Sequence, residues 1–214
     1  MKLQLAAIIL TVGIGTCLAQ TSQETLIRQP LVVIVGAPFT ADSVTQTTWI
    51  KLDGTPGSET ENGRVYRDSQ GRTRKEGRLD STGVWHTLEI TDPVAGVVYR
   101  IPGIRAGRAV AYRTALPSKQ IRSTASELGA VEAKRPNIGV QTIAGFTAVG
   151  HQESGSSKAT SEQWISPQLM TALMTNRTTD RQMITTTLSN IRLVEPDPQL
   201  FQPPQGYIFA DTGK

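Results

Sequence analysis

Between residues 84 and 91 apolar and polar character changes at nearly every step. Val84, His86, Leu88 and Ile90 alternate with Trp85, Thr87, Glu89 and Thr91, and the run stops at Asp92-Pro93-Val94-Ala95-Gly96. A two-residue period puts each set on its own face of an extended chain, so this stretch predicts a half-buried strand. His86 falls on the apolar set and is expected to face inward with a hydrogen-bond partner. The same rhythm recurs in Val97, Tyr99 and Ile101 and again in Val110, Tyr112 and Leu116. Upstream, residues 63–68 and 72–79 read as a hairpin around Ser69-Gln70-Gly71, where glycine suits the left-handed position of a three-residue loop. Leu31 to Val35 forms a further strand, and Val44, Ile50 and Leu52 share a parity ahead of the turn 53–57.

The second half repeats the pattern. Residues 141–143 and 146–152 flank the tight turn Ala144-Gly145, and segments 162–165, 169–176 and 182–194 read as three consecutive antiparallel strands. Only one stretch departs from it: Ile121, Ala125 and Leu128 fall at helical spacing within 117–133, predicting a short helix or ordered loop closed by Lys134-Arg135-Pro136. The closing run Glu195-Pro196-Asp197-Pro198 and Phe201-Gln202-Pro203-Pro204 cannot form a central strand, because proline donates nothing to a ladder. It suggests a clasp across the end of the sheet.

About ten short strands with turns every 8 to 12 residues indicate a mainly β fold. The expectation is a single antiparallel curled sheet, an open half-barrel or a sandwich, with at most one or two short helices, because a flat sheet of that size would leave an apolar face wet. The chain is rich in threonine, 27 of 214 residues, which suits half-exposed pleated surfaces. Residues 31–214 are expected to form one β-rich domain after a polar arm at 20–30.

The first 19 residues read as a secretory signal peptide: Lys2, an apolar run from Leu3 to Ile14, then small residues before Ala19. That run is too short to cross about 30 Å of hydrocarbon. Ile14-Gly15-Thr16-Cys17 also resembles a lipoprotein box, making Cys17 an alternative lipidation site and the one route to a membrane anchor. Cleavage after Ala19 leaves no cysteine, so disulfides cannot contribute. The expected location is periplasmic or extracellular, or the outer membrane if Cys17 is acylated.

Net charge is +4, and its distribution matters more than its size: residues 64–122 carry 12 Lys and Arg against 5 Asp and Glu. Arg64, Arg67, Arg72, Arg74, Lys75 and Arg78 crowd onto one predicted hairpin. Guanidinium forks match phosphate and carboxylate groups, so these six form a candidate site for a lipid headgroup or other anionic ligand. The competing reading is a solvated edge hairpin whose charges discourage strand addition. Nucleic acid is not expected, because the patch lacks interleaved aromatics.

Catalytic patterns are missing. The chain has two histidines, His86 and His151, with no metal-ligand spacing, and His151 opens a polar loop where exposure is expected. No nucleophile elbow, Ser-x-x-Lys or phosphate-binding glycine loop occurs, so neither an enzyme nor a cofactor is expected. Trp49, Trp85 and Trp164 all fall in predicted strands, and one of them could line a groove if the sheet curls.

The strings GRVYRDSQGRTRKE at 63–76, ITDPVAGVVY at 90–99, GVQTIAGFTAVG at 139–150, EQWISPQL at 162–169 and EPDPQLFQPPQGY at 195–207 resemble an uncharacterised secreted family abundant in Acidobacteria. The resemblance covers most of the mature chain and implies export, with no activity attached. The meander and its closing Phe and Pro segment are also similar, in architecture, to the LolA/LolB lipoprotein carriers, whose curled sheet holds an acyl chain. That likeness implies a non-enzymatic exported domain that takes a lipid or amphipathic ligand within its curved sheet. The alternatives are an envelope module with a filled core that binds a protein partner, and a hydrolase whose carboxylates assemble in space.

Overall fold

Most of the alternating segments do form strands. The computed structural model describes residues 30–78, 81–105, 108–109, 111–154 and 159–212; the expected leader, Cys17 and the expected arm up to residue 29 lie outside the described residues. In chain order the strands begin with β1 Leu31–Val35, β2 Phe39–Ile50, β3 Pro56–Arg67, β4 Thr73–Gly77, β5 Thr87–Asp92 and β6 Val97–Ile101. A small hairpin, β7 Ile104–Arg105 and β8 Arg108–Ala109, precedes β9 Ala111–Ala115, β10 Gln120–Thr124 and the helix α1 Ala125–Glu132. Then come β11 Gly139–Ile143, β12 Phe146–Ser154, β13 Thr160–Ser166, β14 Thr171–Thr178 and β15 Gln182–Arg192, followed by a 3-10 turn Pro198–Phe201 and β16 Phe209–Thr212.

Twelve strands form one sheet in the order β11-β12-β13-β14-β15-β2-β3-β4-β5-β6-β9-β16. The sheet is open and curved rather than closed into a barrel, with β11 and β16 at its edges. Every pair in it is antiparallel except β16, which lies parallel to β9, so the sheet is mixed where a purely antiparallel one was expected. A second parallel pair, β1 with β10, stands outside the main sheet. The junction of β15 with β2 joins the two halves of the chain, and across it the hydroxyls of Thr45 and Thr186 meet at 2.9 Å.

Two hydrophobic clusters lie on opposite faces. One gathers Phe39, Ala41, Ala148, Leu169, Leu173 and Leu188, with Val65 packed against it. The other gathers Leu88, Ile90, Ile101, Ala111 and Phe201, with Tyr66 against it. Val65 and Tyr66 are neighbours in β3 and therefore point to opposite sides, so the sheet is covered on one face near β2 and β15 and on the other near β5 and β6. The proline-rich segment supplies the second cover through Phe201, which is 1% exposed.

Several local expectations are corrected by this arrangement. In β2 the buried residues are Phe39 and Ala41, while Ile50 and Leu52 are 49% and 91% exposed; the apolar partners Leu169 and Leu188 lie on the odd-numbered side. Strand β5 starts at Thr87, not at 84, because β4 ends at Gly77 and the His86 N–H to Gly77 carbonyl bond closes the ladder. His86 is exposed instead of facing inward. In β9 the inward residue is the small Ala111, which fits beside Phe201, and Tyr112 faces out. The helix is half the length of its segment. Residues 120–124 pair with β1, and Thr124 then caps α1: its hydroxyl accepts from the Glu127 N–H while the Glu127 carboxylate accepts from the Thr124 N–H.

Candidate functional site

The hairpin ends of β2–β3 and β14–β15 meet at one end of the sheet. Ile50 N–H donates to the Arg181 carbonyl at 2.9 Å, which ties the two turns together. The first turn is built by Asp53, whose carboxylate accepts from both the N–H and the hydroxyl of Thr55, and by Gly54 at φ +82°. Those bonds hold the Asp53 carboxyl below its ordinary range, chiefly through the Thr55 hydroxyl. In the second turn the Thr179 hydroxyl accepts from the Gln182 N–H.

Between the turns lies a groove of about 510 Å³, lined among others by Trp49, Ile50, Pro56, Gly57, Arg181 and Met183. Its volume falls in the range of small-ligand sites. The Trp49 indole lies flat over residue 57, and a Cβ there would overlap the ring, so only glycine permits this placement. Ile50 and Met183 remain 49% and 46% exposed. The aromatic plate lies on one face of the sheet and the two exposed aliphatic side chains on the other, so they border the opening from both sides of the sheet's end, with one guanidinium beside them. Behind it, Thr45, Thr47 and Thr186 are half-buried on the face shared with Trp49, with Ile184 opposite Thr47, so this strip mixes hydroxyls with aliphatic surface.

The structure distributes the six basic hairpin residues among different partners. Arg67 is 4% exposed and donates to the Ala37 and Leu169 carbonyls at 2.9 and 2.6 Å. Arg74, 7% exposed, pairs with Glu76 at 2.7 Å and donates to the Leu200 carbonyl. Arg72 pairs with the buried Asp68, whose carboxylate also accepts from the Gln70 and Arg72 N–H groups, and this organises the turn. Arg78 pairs with Glu61, and Lys75 stands opposite Glu89 in the register of β4 and β5. Arg64 faces a separate polar pocket. Crowded arginine codes in the sequence thus serve the turn and the C-terminal clasp as much as the surface.

His151 is also corrected: it is buried at 6% exposure rather than solvated. Its Nδ1 lies 3.0 Å from the Pro136 carbonyl and its Nε2 lies 2.7 Å from the Glu132 carboxylate, whose other oxygen accepts from Arg135 at 2.9 Å. This cluster fastens the end of α1 to β12. Helical spacing signalled nothing of it, because Glu132 and His151 come together only in the fold. Among the described residues no group of three or more His, Cys, Asp or Glu could hold a metal, and no helix is long and apolar enough to cross a membrane. Trp85 stacks on Tyr207 with centroids 6.2 Å apart, and Trp164 lies against Gly150; neither lines the groove.

No family model and no curated protein matches the chain. Several solved structures resemble the chain at low identity. An uncharacterized conserved protein from Thermus thermophilus is 13% identical, with a TM-score of 0.50 over 82% of this chain and 91% of that one. PNGF-II is 13% identical with a TM-score of 0.45 over 81% of this chain, which spans only 31% of the length of PNGF-II. The LolA superfamily protein NE2245 from Nitrosomonas europaea is 6% identical with a TM-score of 0.39, over 78% of this chain and 90% of that one. The class shown is a mainly β domain built on an open curved sheet.

Proposed function

We propose that the mature chain is an exported, non-enzymatic domain that binds an amphipathic ligand at the open end of its curved sheet. The groove around Trp49 carries this reading. Apolar atoms of the ligand would cover Trp49 on one face and fold round the end of the sheet toward Ile50 and Met183 on the other, at about 0.8 kcal/mol for each methylene removed from water. Its polar atoms would meet Arg181 and the threonine hydroxyls. The leader supports export, and the LolA superfamily likeness prompts comparison with carriers without supplying a ligand.

Tryptophan emission tests the proposal. Adding a lysophospholipid below its micelle concentration is expected to blue-shift the wild-type protein, and Trp49→Phe is expected to lose that change. Ile50→Asp is expected to weaken binding about tenfold by placing a charge on the apolar rim. An identical emission change in wild type and Trp49→Phe would place the ligand elsewhere.

A second reading, an envelope module for a protein partner, is favoured by β11. This edge strand contains no charged residue, and Val140 is 64% exposed. Uncharged edges with unpaired N–H and C=O groups accept an added strand.

A further inference from the structure

Near the opposite end of β2 a polar pocket of about 340 Å³ is lined by Thr40, Ala41, Asp42, Arg64, Tyr66, Asn190 and Arg192. It lies across β15, β2 and β3, and three local features build it. Pairing of β15 with β2 shifts between Ser189 and Arg192, and a bulge of this kind redirects side chains. Asn190 sits at φ +49° and donates from its amide to the Asp42 carboxylate at 2.8 Å. The Arg64 guanidinium lies against the Tyr66 hydroxyl, whose pKa is raised mainly by burial and next by the Glu76 charge, so the phenol stays a donor.

The charge pattern is unusual for a surface made only to be wet. Elsewhere on this sheet Arg72, Arg74, Arg78, Arg100 and Arg113 each pair with a carboxylate. Among the described residues Arg64, Arg67, Arg122, Arg177, Arg181 and Arg192 have no such partner, and of these Arg64 and Arg192 line one pocket together. Register puts Arg192 opposite Thr40 and Tyr66 opposite Thr40 on the other side, so two guanidinium-bearing strands flank one threonine. Guanidinium, phenol, amide and hydroxyl donors then surround a space with one carboxylate at its side.

We infer that this pocket binds a monoanionic phosphoester whose substituent carries an ammonium group, the phosphate oxygens taking Arg64, Arg192 and Tyr66 and the ammonium taking Asp42. Two cations against one anion leave a single positive charge for the phosphate, and guanidinium forks match its oxygens in pairs. A dianionic free phosphate meets the same donors but is opposed by Asp42. The volume holds a headgroup and not a pair of acyl chains. The site is separate from the Trp49 groove and does not depend on it.

Titration of the folded mature chain with glycerophosphoethanolamine and with inorganic phosphate, followed by calorimetry and by the Asn190 side-chain amide resonances, tests the assignment. The amine ester is expected to bind more tightly than inorganic phosphate. Arg64→Gln and Arg192→Gln should each weaken the ester about tenfold, and Arg64→Lys should recover only part. Asp42→Asn should reverse the order by favouring inorganic phosphate. Equal binding of both probes in the wild type, or ester binding unchanged in both arginine variants with melting temperature preserved, would overturn the inference. Trp49→Phe should leave ester affinity unchanged, which separates this site from the groove.

Discussion

Phe201→Ala is expected to lower the unfolding free energy by about 3–5 kcal/mol, the range for emptying a buried aromatic site. Phe201 is 1% exposed among Leu88, Ile90, Ile101 and Ala111. No nearby chain can collapse into the space easily, because residues 195–201 are anchored at both ends. Ser69 N–H donates to the Glu195 carboxylate at 3.1 Å, Asp197 accepts from the Gln199 N–H at 2.9 Å, and Arg74 donates to the Leu200 carbonyl. The Arg72 guanidinium also lies over the ring, 4.9 Å from its centroid. Loosening the clasp should free β16, since Tyr207 and Phe209 pack against the same cluster. Urea denaturation measures the loss, and hydrogen exchange at residues 209–212 should rise before the transition. A cost below about 1 kcal/mol would mean that the segment does not cover a core.

Arg67→Met should cost about 2–4 kcal/mol, although methionine is the more apolar side chain. Two opposing terms decide the sign. Burial of a guanidinium without a carboxylate is unfavourable, and it draws the Arg67 pKa down to about 10. That leaves the group charged at neutral pH; its penalty is relieved only as pH rises above about 10, where the folded form releases a proton that the unfolded chain still holds. Against this, methionine orphans the Ala37 and Leu169 carbonyls, at about 1–3 kcal/mol each when buried. It also removes the cation from the Phe39 ring, 4.9 Å away. The orphaned carbonyls dominate. Arg67→Lys should recover only part of the loss, because an ammonium cannot reproduce the fork that reaches both oxygens. Denaturation midpoints of the two variants test this order.

What was legible followed from local chemistry. The turn at 69–71 and the pair Ala144-Gly145, at φ +49° and +84°, are written in residues three or fewer apart, and the hairpins around them form as expected. Pairing of β15 with β2 has no such signature: its partners are about 140 residues apart, and threonine on both strands suits many registers equally. The same distance hid the buried side of β2, which is decided by Leu169 and Leu188 rather than by anything beside Phe39. Arginine was misleading for a different reason. A charged side chain reads as solvated, and only the carbonyls of Ala37 and Leu169 explain why Arg67 is buried. For the candidate site, Trp49 was visible as a residue that could line a groove, but Met183, Arg181 and Gly57 reach it only through strand pairing.

Native mass spectrometry of the protein purified from the cells that make it, wild type beside Trp49→Ala, tests the binding account most directly. The account predicts an amphiphile retained by the wild-type chain and lost from Trp49→Ala. Repeated recovery of the bare wild-type mass, or equal retention by both, would contradict it.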